Sequence, residues 1–140
     1  MSSSSVLYVD ASFLLRALTD PGDAAAQERW EHLDEYALAA PSLLLDEVVN
    51  ASHRMRRAGM VSASDAQEIL NAVSALGVQL YGDGDLHRQA LRLATELDLP
   101  ATYDSHYLAL AQRFGAELWT CDARLHRAVG DAMPWLVLIG

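Results

Sequence analysis

The chain has 140 residues, 51% of them apolar, a formal charge of −9 and a single cysteine, Cys121. That length points to one domain, residues 1–140, able to bury roughly two-thirds of its unfolded surface, and one cysteine excludes an internal disulfide and a cysteine-built zinc site. All ten basic residues are arginines, which excludes a Walker-type phosphate loop and a phosphorelay receiver, because both need a lysine.

No apolar run approaches the roughly 18 residues of a membrane span. Residues 1–5 have neither a basic region nor an apolar core, so no signal peptide is expected; they read as a frayed tail, and a cytoplasmic location is the default. Residues 6–9 are strand formers ending at Asp10, the pattern of a central strand covered on both faces. Residues 11–18 read as helix, with Ser12 in the first turn. Residues 20–23 are turn chemistry, and Asp23 is placed to cap a helix running to about residue 35. Residues 36–40 read as a second strand, closed by Pro41.

Ser42 is an expected N-cap for a helix to about residue 58. Leu45, Val48, Val49, Ser52 and Met55 form its core face, and Glu47, Asn50, Ala51 and Arg54 the adjoining line. Ser62 or Ser64 caps a further helix to residue 76, ended by Gly77. Residues 78–81 read as a third strand. Residues 82–85 then open a helix to about residue 97; the Gly-x-Gly there reads as turn and cap ahead of any phosphate-loop role. Pro100 stops that helix. Asp104, Tyr107, Leu108 and Ala111 share one helical line, so Asp104 continues a buried stripe, and Gly115 ends the helix. Residues 117–120 read as a fourth strand followed by Asp122, residues 123–129 as a short helix, and residues 135–139 as a fifth strand. Strands separated by helices need right-handed crossovers, hence an α/β fold with a parallel sheet between two helical layers.

In such sheets, sites gather beyond the carboxyl ends of the strands at a switch in strand order. Asp10 follows strand one and Asp122 follows strand four. If those strands are neighbours, the two acids face each other, with Asp104 and Glu47 arriving on helices. Each acid alone also has a bland reading as a helix cap or a first-turn partner of the helix dipole. Four carboxylates in one crevice repel unless cations sit among them, and oxygen ligands select Mg²⁺ or Mn²⁺. The matching chemistry is attack on a phosphodiester by a metal-activated water, with Ser12 and Thr120 as hydroxyl helpers. His53, His87, His106 and His126 sit in helical stretches and make no convincing catalytic arrangement. A phosphatase on a similar sheet needs Asp-x-Asp after strand one, where this chain has Ser12.

Four segments, at Asp10 with Ser12, at Pro41 to Glu47, at Tyr103 to Ala111 and at Leu118 to Leu125, resemble in order the signature segments of PIN-domain ribonucleases, and in particular the VapC toxins of bacterial toxin–antitoxin pairs. The resemblance implies a PIN-like three-layer α/β/α sandwich with a five-stranded parallel sheet of order 3-2-1-4-5. It also implies that Asp10, Glu47, Asp104 and Asp122 are the catalytic and metal-ligating quartet, with Ser12 and Thr120 in support. A Mg²⁺- or Mn²⁺-dependent endoribonuclease follows, with an RNA substrate, a cognate antitoxin as partner and a homodimeric state. A PIN-fold nuclease of RNA processing and a non-catalytic PIN binding module are the alternatives. Asp46 lies about 100° round the helix from Glu47, so only one of the two can face the site, and both pattern and stripe favour Glu47. Setting the quartet aside takes the formal charge from −9 to −5. RNA contact then falls to Arg54, Arg56, Arg57, Arg124 and Arg127, whose equally good reading is as solvated helix ends that complement the helix dipole.

Overall fold

The structure is a computed structural model that describes residues 5–140; most of the expected tail, residues 1–4, lies outside them. Ser5, expected in that tail, instead opens β1 (Ser5–Val9). The chain continues through α1 (Ala11–Thr19), α2 (Ala24–Glu31), β2 (Tyr36–Pro41), α3 (Leu43–Arg57), α4 (Ala63–Ala75) and β3 (Gln79–Tyr81). It ends with α5 (Gly84–Glu96), α6 (Tyr103–Phe114), β4 (Leu118–Thr120), α7 (Ala123–Val129) and β5 (Leu136–Leu138).

All strand pairs are parallel, and the sheet order is β3-β2-β1-β4-β5. Each step between neighbouring strands is a helical crossover. The walk from β1 to β2 to β3 runs one way, and β4 returns to the other side of β1, so the switch in order lies between β1 and β4. Tyr8 stands opposite Leu118 and Val9 opposite Trp119. The next residues, Asp10 and Thr120, therefore leave the sheet side by side. The helices form two groups. Helices α1, α3 and α4 pack on one another with α2 against α1, while α5 packs on α6 and α6 on β2. This is what right-handed crossovers in opposite directions produce.

The core is centred on β1 and β4. Leu7, Tyr8, Val9, Leu118 and Trp119 are all at most 1% exposed, as expected of strands covered on both faces. Trp119 meets Phe13 and Tyr36 edge-on at ring distances of 5.7 and 5.4 Å, the geometry that aromatic quadrupoles favour.

Three local expectations change. The inward line of α3 is Leu44, Val48 and Ser52, with Leu45 and Met55 half-buried and Val49 48% exposed. Leu43, Leu44 and Leu45 are equivalent in an apolar pattern, and the inward line runs at i, i+4, i+8 from the middle one. Ser42 does not cap α3 with its side chain: its own backbone is helical (φ −58°, ψ −24°), which turns the hydroxyl away from the free amides, and its N–H donates to Tyr81 O at 2.7 Å. The helix begun at Asp23 stops at Glu31, and a 3₁₀ turn at Leu33–Glu35 buries Leu33 and feeds β2. Of the two serines offered as the α4 cap, Ser62 serves, in a reciprocal capping box with Asp65.

Candidate active site

Asp10 is the N-cap of α1 and is only 6% exposed. Its Oδ1 accepts from the Ser12 hydroxyl at 2.6 Å and from the Phe13 amide at 3.0 Å, and its Oδ2 accepts from the Thr120 hydroxyl. Those two hydroxyls lie 3.2 Å apart. Ser12 Oγ also accepts from the Cys121 amide at 2.9 Å, and Thr120 Oγ1 from the Asp122 amide at 3.0 Å. Ser12 and Thr120 thus lock the end of β4 to the start of α1, and Thr120 links the Asp122 backbone amide to the Asp10 carboxylate.

Asp122 caps α7, accepting from the Leu125 amide at 3.1 Å through Oδ1. Its capping role and its place at the switch point coexist, because the cap uses one carboxylate oxygen. Glu47 enters from the first turns of α3, half-buried, with Oε1 accepting from the Tyr107 hydroxyl at 2.6 Å. Asp46 is exposed, so Glu47 is the inward member of the pair. Asp104, in the first turn of α6, is half-buried and accepts no hydrogen bond among the described residues.

The electrostatics tie the four together. Burial pushes the Asp10 carboxyl up to about 6, with the Asp104 charge adding to the rise while Ser12, Thr120 and the Phe13 amide hold it down. Burial also raises Glu47, with the Asp10, Asp104 and Asp46 charges reinforcing it and Tyr107 opposing. Asp104 is raised by burial and by the Asp122 charge, against the pull of Arg124. Ion pairs of the described residues join Arg16 to Asp23, His32 to Glu35, Arg88 to Asp85 and Arg113 to Asp83, and none includes a member of the quartet.

These residues fit a hard divalent ion in donor chemistry: all four are carboxylates, Asp10, Glu47 and Asp104 are desolvated, and oxygens are left over. Among the described residues, however, no three His, Cys, Asp or Glu side chains stand at metal-ligating spacing. Asp10 is turned onto the Ser12 and Thr120 hydroxyls and the Phe13 amide.

The arginines divide. Arg124, exposed in the first turn of α7, draws the Asp104 carboxyl down through its charge. Arg54, Arg56 and Arg57 occupy the last turn of α3, and Arg57 is about 15 Å along the helix from Glu47 at 1.5 Å per residue. Arg127 is exposed in the last turn of α7. The Gly-x-Gly segment resolves as turn and cap: Asp83 caps α5 and accepts two bonds from Arg113, at 2.9 and 3.0 Å. His87 and His106 pair with each other at 2.9 Å, and no histidine bonds to the quartet. The residue that sequence reasoning missed is Tyr107, placed on the apolar stripe of α6. The available signal was its hydroxyl, since a buried tyrosine oxygen needs a partner.

One consequence is testable at Thr120. Thr120→Val keeps the shape but leaves Asp10 Oδ2 and the Asp122 amide without their shared partner. Loss of a bond to a buried carboxylate costs about 2 kcal/mol, read as a lower urea midpoint at pH 7. A midpoint equal to wild type would mean that the Thr120 hydroxyl holds nothing in place.

A model of the PIN domain matches residues 7–131. Ribonuclease VapC3 of Mycobacterium tuberculosis is 31% identical over 122 residues, covering 87% of this chain and 86% of that protein. Ribonuclease VapC9 of the same organism is 28% identical over 120 residues, covering 86% and 88%. Among solved structures, PAE2754 from Pyrobaculum aerophilum aligns with a TM-score of 0.68 at 28% identity, over 90% of this chain and 87% of that one. A chain of VapBC2 from Rickettsia felis, bound to a DNA fragment from their promoter, shares the fold with a TM-score of 0.68 at 16% identity, over 95% and 96%. The matched region runs from within β1 past the end of α7 and contains Asp10, Glu47, Asp104 and Asp122, and the chain belongs to the PIN domain family.

Proposed function

We propose that this chain is a divalent-metal-dependent endoribonuclease of the VapC type and acts as the toxin of a toxin–antitoxin pair. The observation that carries the reading is the set of four carboxylates gathered near the ends of β1 and β4: burial and neighbouring charge raise Asp10, Glu47 and Asp104, the Asp122 charge acts on Asp104, and none of the four has an ion-paired partner among the described residues. The similarity to proteins named VapC ribonucleases supports the substrate class, and the resemblance of the signature segments to VapC toxins supports the biological role.

In this reading Asp10, Glu47, Asp104 and Asp122 hold Mg²⁺ or Mn²⁺. When bound, the ion neutralises the acids and supplies an acidified water for phosphodiester hydrolysis. Asp10 is the fixed member, oriented by Ser12, Thr120 and the Phe13 amide. Asp122 keeps one oxygen on the α7 amide and offers the other to the site. Arg124, exposed and beside Asp104, is placed to take an RNA phosphate, because a guanidinium fork matches phosphate oxygens. Arg127 extends that path along α7. Arg54, Arg56 and Arg57 lie farther out and serve RNA backbone contacts away from the cut bond. The antitoxin covers the crevice and presents cationic or hydrogen-bonding groups to the acids in place of the metal.

The test is to challenge the purified chain with total cellular RNA. Discrete fragments are expected in Mg²⁺ or Mn²⁺. Induction in cells should arrest growth, and co-expression of the partner from the reading frame directly upstream should restore it. RNA left intact by wild-type protein in both metals would remove the ribonuclease reading; cleavage without growth arrest would leave a processing nuclease.

A further inference from the structure

The four acids are held very unequally. Among the described residues Asp10 has three donors and Asp122 has the α7 amide, whereas Asp104 has none and Glu47 has one, the hydroxyl of Tyr107. Glu47 is also the longest of the four side chains, with three torsions to fix, and an unrestrained glutamate loses rotamer freedom when a ligand orders it. A single short bond from a rigid neighbour removes most of that disorder in advance.

Tyr107 is suited to this task by its surroundings. It is 3% exposed, so its ring is fixed by packing. It lies one helical turn after Asp104 on α6, and its hydroxyl donates across 60 residues of sequence to Glu47 on α3. One hydroxyl therefore links the Asp104-bearing and Glu47-bearing helices, which belong to helix groups on opposite faces of the sheet. The bond occupies Oε1 and leaves Oε2 with no hydrogen-bond partner among the described residues.

We propose that Tyr107 is a positioning residue for Glu47, its hydroxyl restricting the carboxylate's rotation and so preparing it to serve as a ligand when a divalent ion binds. This rests on the metal-dependent reading of the quartet. A purely structural tyrosine would contribute ring packing and be indifferent to which acid is present; a positioning one acts through Glu47 alone.

The experiment is calorimetric titration with Mn²⁺ of wild type, Tyr107→Phe, Glu47→Gln, Asp122→Asn and the two double variants that combine Tyr107→Phe with each acid change. Tyr107→Phe keeps the buried ring and therefore the fold, which a thermal melt in EDTA verifies. Its Mn²⁺ affinity is expected to fall about tenfold or more, the size of a lost hydrogen bond to a charged group. The loss should vanish in the Glu47→Gln background and persist in the Asp122→Asn background. RNA cleavage should show the deficit in kcat, with KM for RNA unchanged. Wild-type affinity in Tyr107→Phe, or a tenfold loss that persists in the Glu47→Gln background, would overturn the proposal while leaving the metal reading intact. No Mn²⁺ binding by the wild-type protein would remove the metal reading, and the proposal with it.

Discussion

Asp10→Asn is expected to abolish RNA cleavage, by at least about a thousandfold, while making the metal-free protein more stable. The loss of activity follows from removing the most buried charge of the proposed metal site. The gain in stability follows from the same burial. The folded protein holds the Asp10 carboxyl at about 6, against an ordinary value of 3.8. A carboxylate whose folded value is raised is stabilising when protonated, so its contribution is full below about pH 4 and is lost as pH rises to about 6. Above that, ionised Asp10 weighs against the fold by up to about 3 kcal/mol, taking 1.36 kcal/mol per unit. Asparagine removes the charge and can keep the hydrogen bonds. Its oxygen takes the Ser12 hydroxyl and the Phe13 amide, its amide donates to Thr120 Oγ1, and the Thr120 proton turns to Ser12 Oγ, 3.2 Å away. Urea unfolding in EDTA at pH 7.5 should therefore show a higher midpoint in the variant than in wild type. The wild-type decline between pH 4 and 6 should flatten, with what remains owed to Glu47 and Asp104, which burial raises in the same direction. Mg²⁺ should then stabilise wild type and leave Asp10→Asn unchanged. A variant that is both less stable and fully active would contradict the electrostatic account of the crevice.

What could be read from the residues in advance was whatever depends on near neighbours in sequence. Residues 6–9 ending in an acid, the Asp122 cap on residues 123–129, and Gly115 closing α6 in the left-handed region (φ +68°) are all local, and all stand as expected. Strand order is not local. Periodicity established parallel strands between helices but could not place strand four beside strand one. That came from the resemblance to PIN domains, and the β1/β4 pairing agrees with it. The misses have the same cause. Which leucine of Leu43, Leu44 and Leu45 turns inward is decided by the docking of α3, not by its own pattern. Ser42 lost its capping geometry to a bond with β3. Tyr107 finds its partner on another helix. Distances along an element are likewise not written in local pattern: Arg54, Arg56 and Arg57 stand in the last turn of α3, with Arg57 about 15 Å along the helix from Glu47.

Removal of divalent metal should silence the enzyme completely, and the ends of the cut RNA should say why. No histidine bonds to the quartet, and the imidazoles of His87 and His106 are engaged with each other. The crevice therefore presents no imidazole pair to deprotonate the RNA 2′-hydroxyl and protonate the departing 5′-oxygen. Attack by water, in line with the bond to the 3′-oxygen, places the new P–O bond on the 5′ side. The 3′-oxygen leaves with a proton, so the products carry a 5′-phosphate and a 3′-hydroxyl. Attack by the 2′-hydroxyl would leave a 2′,3′-cyclic phosphate, which external water cannot make. End-labelling distinguishes the two directly: new 5′ ends should require phosphatase treatment before kinase labelling, and new 3′ ends should accept ligation without treatment. Cleavage should cease in EDTA and return with Mg²⁺ or Mn²⁺, whose oxygen-ligand preference matches four carboxylates. Cyclic phosphate ends that persist in EDTA would make Asp104 and Asp122 structural acids, placed by α6 and α7 for the helix dipole and the cap alone.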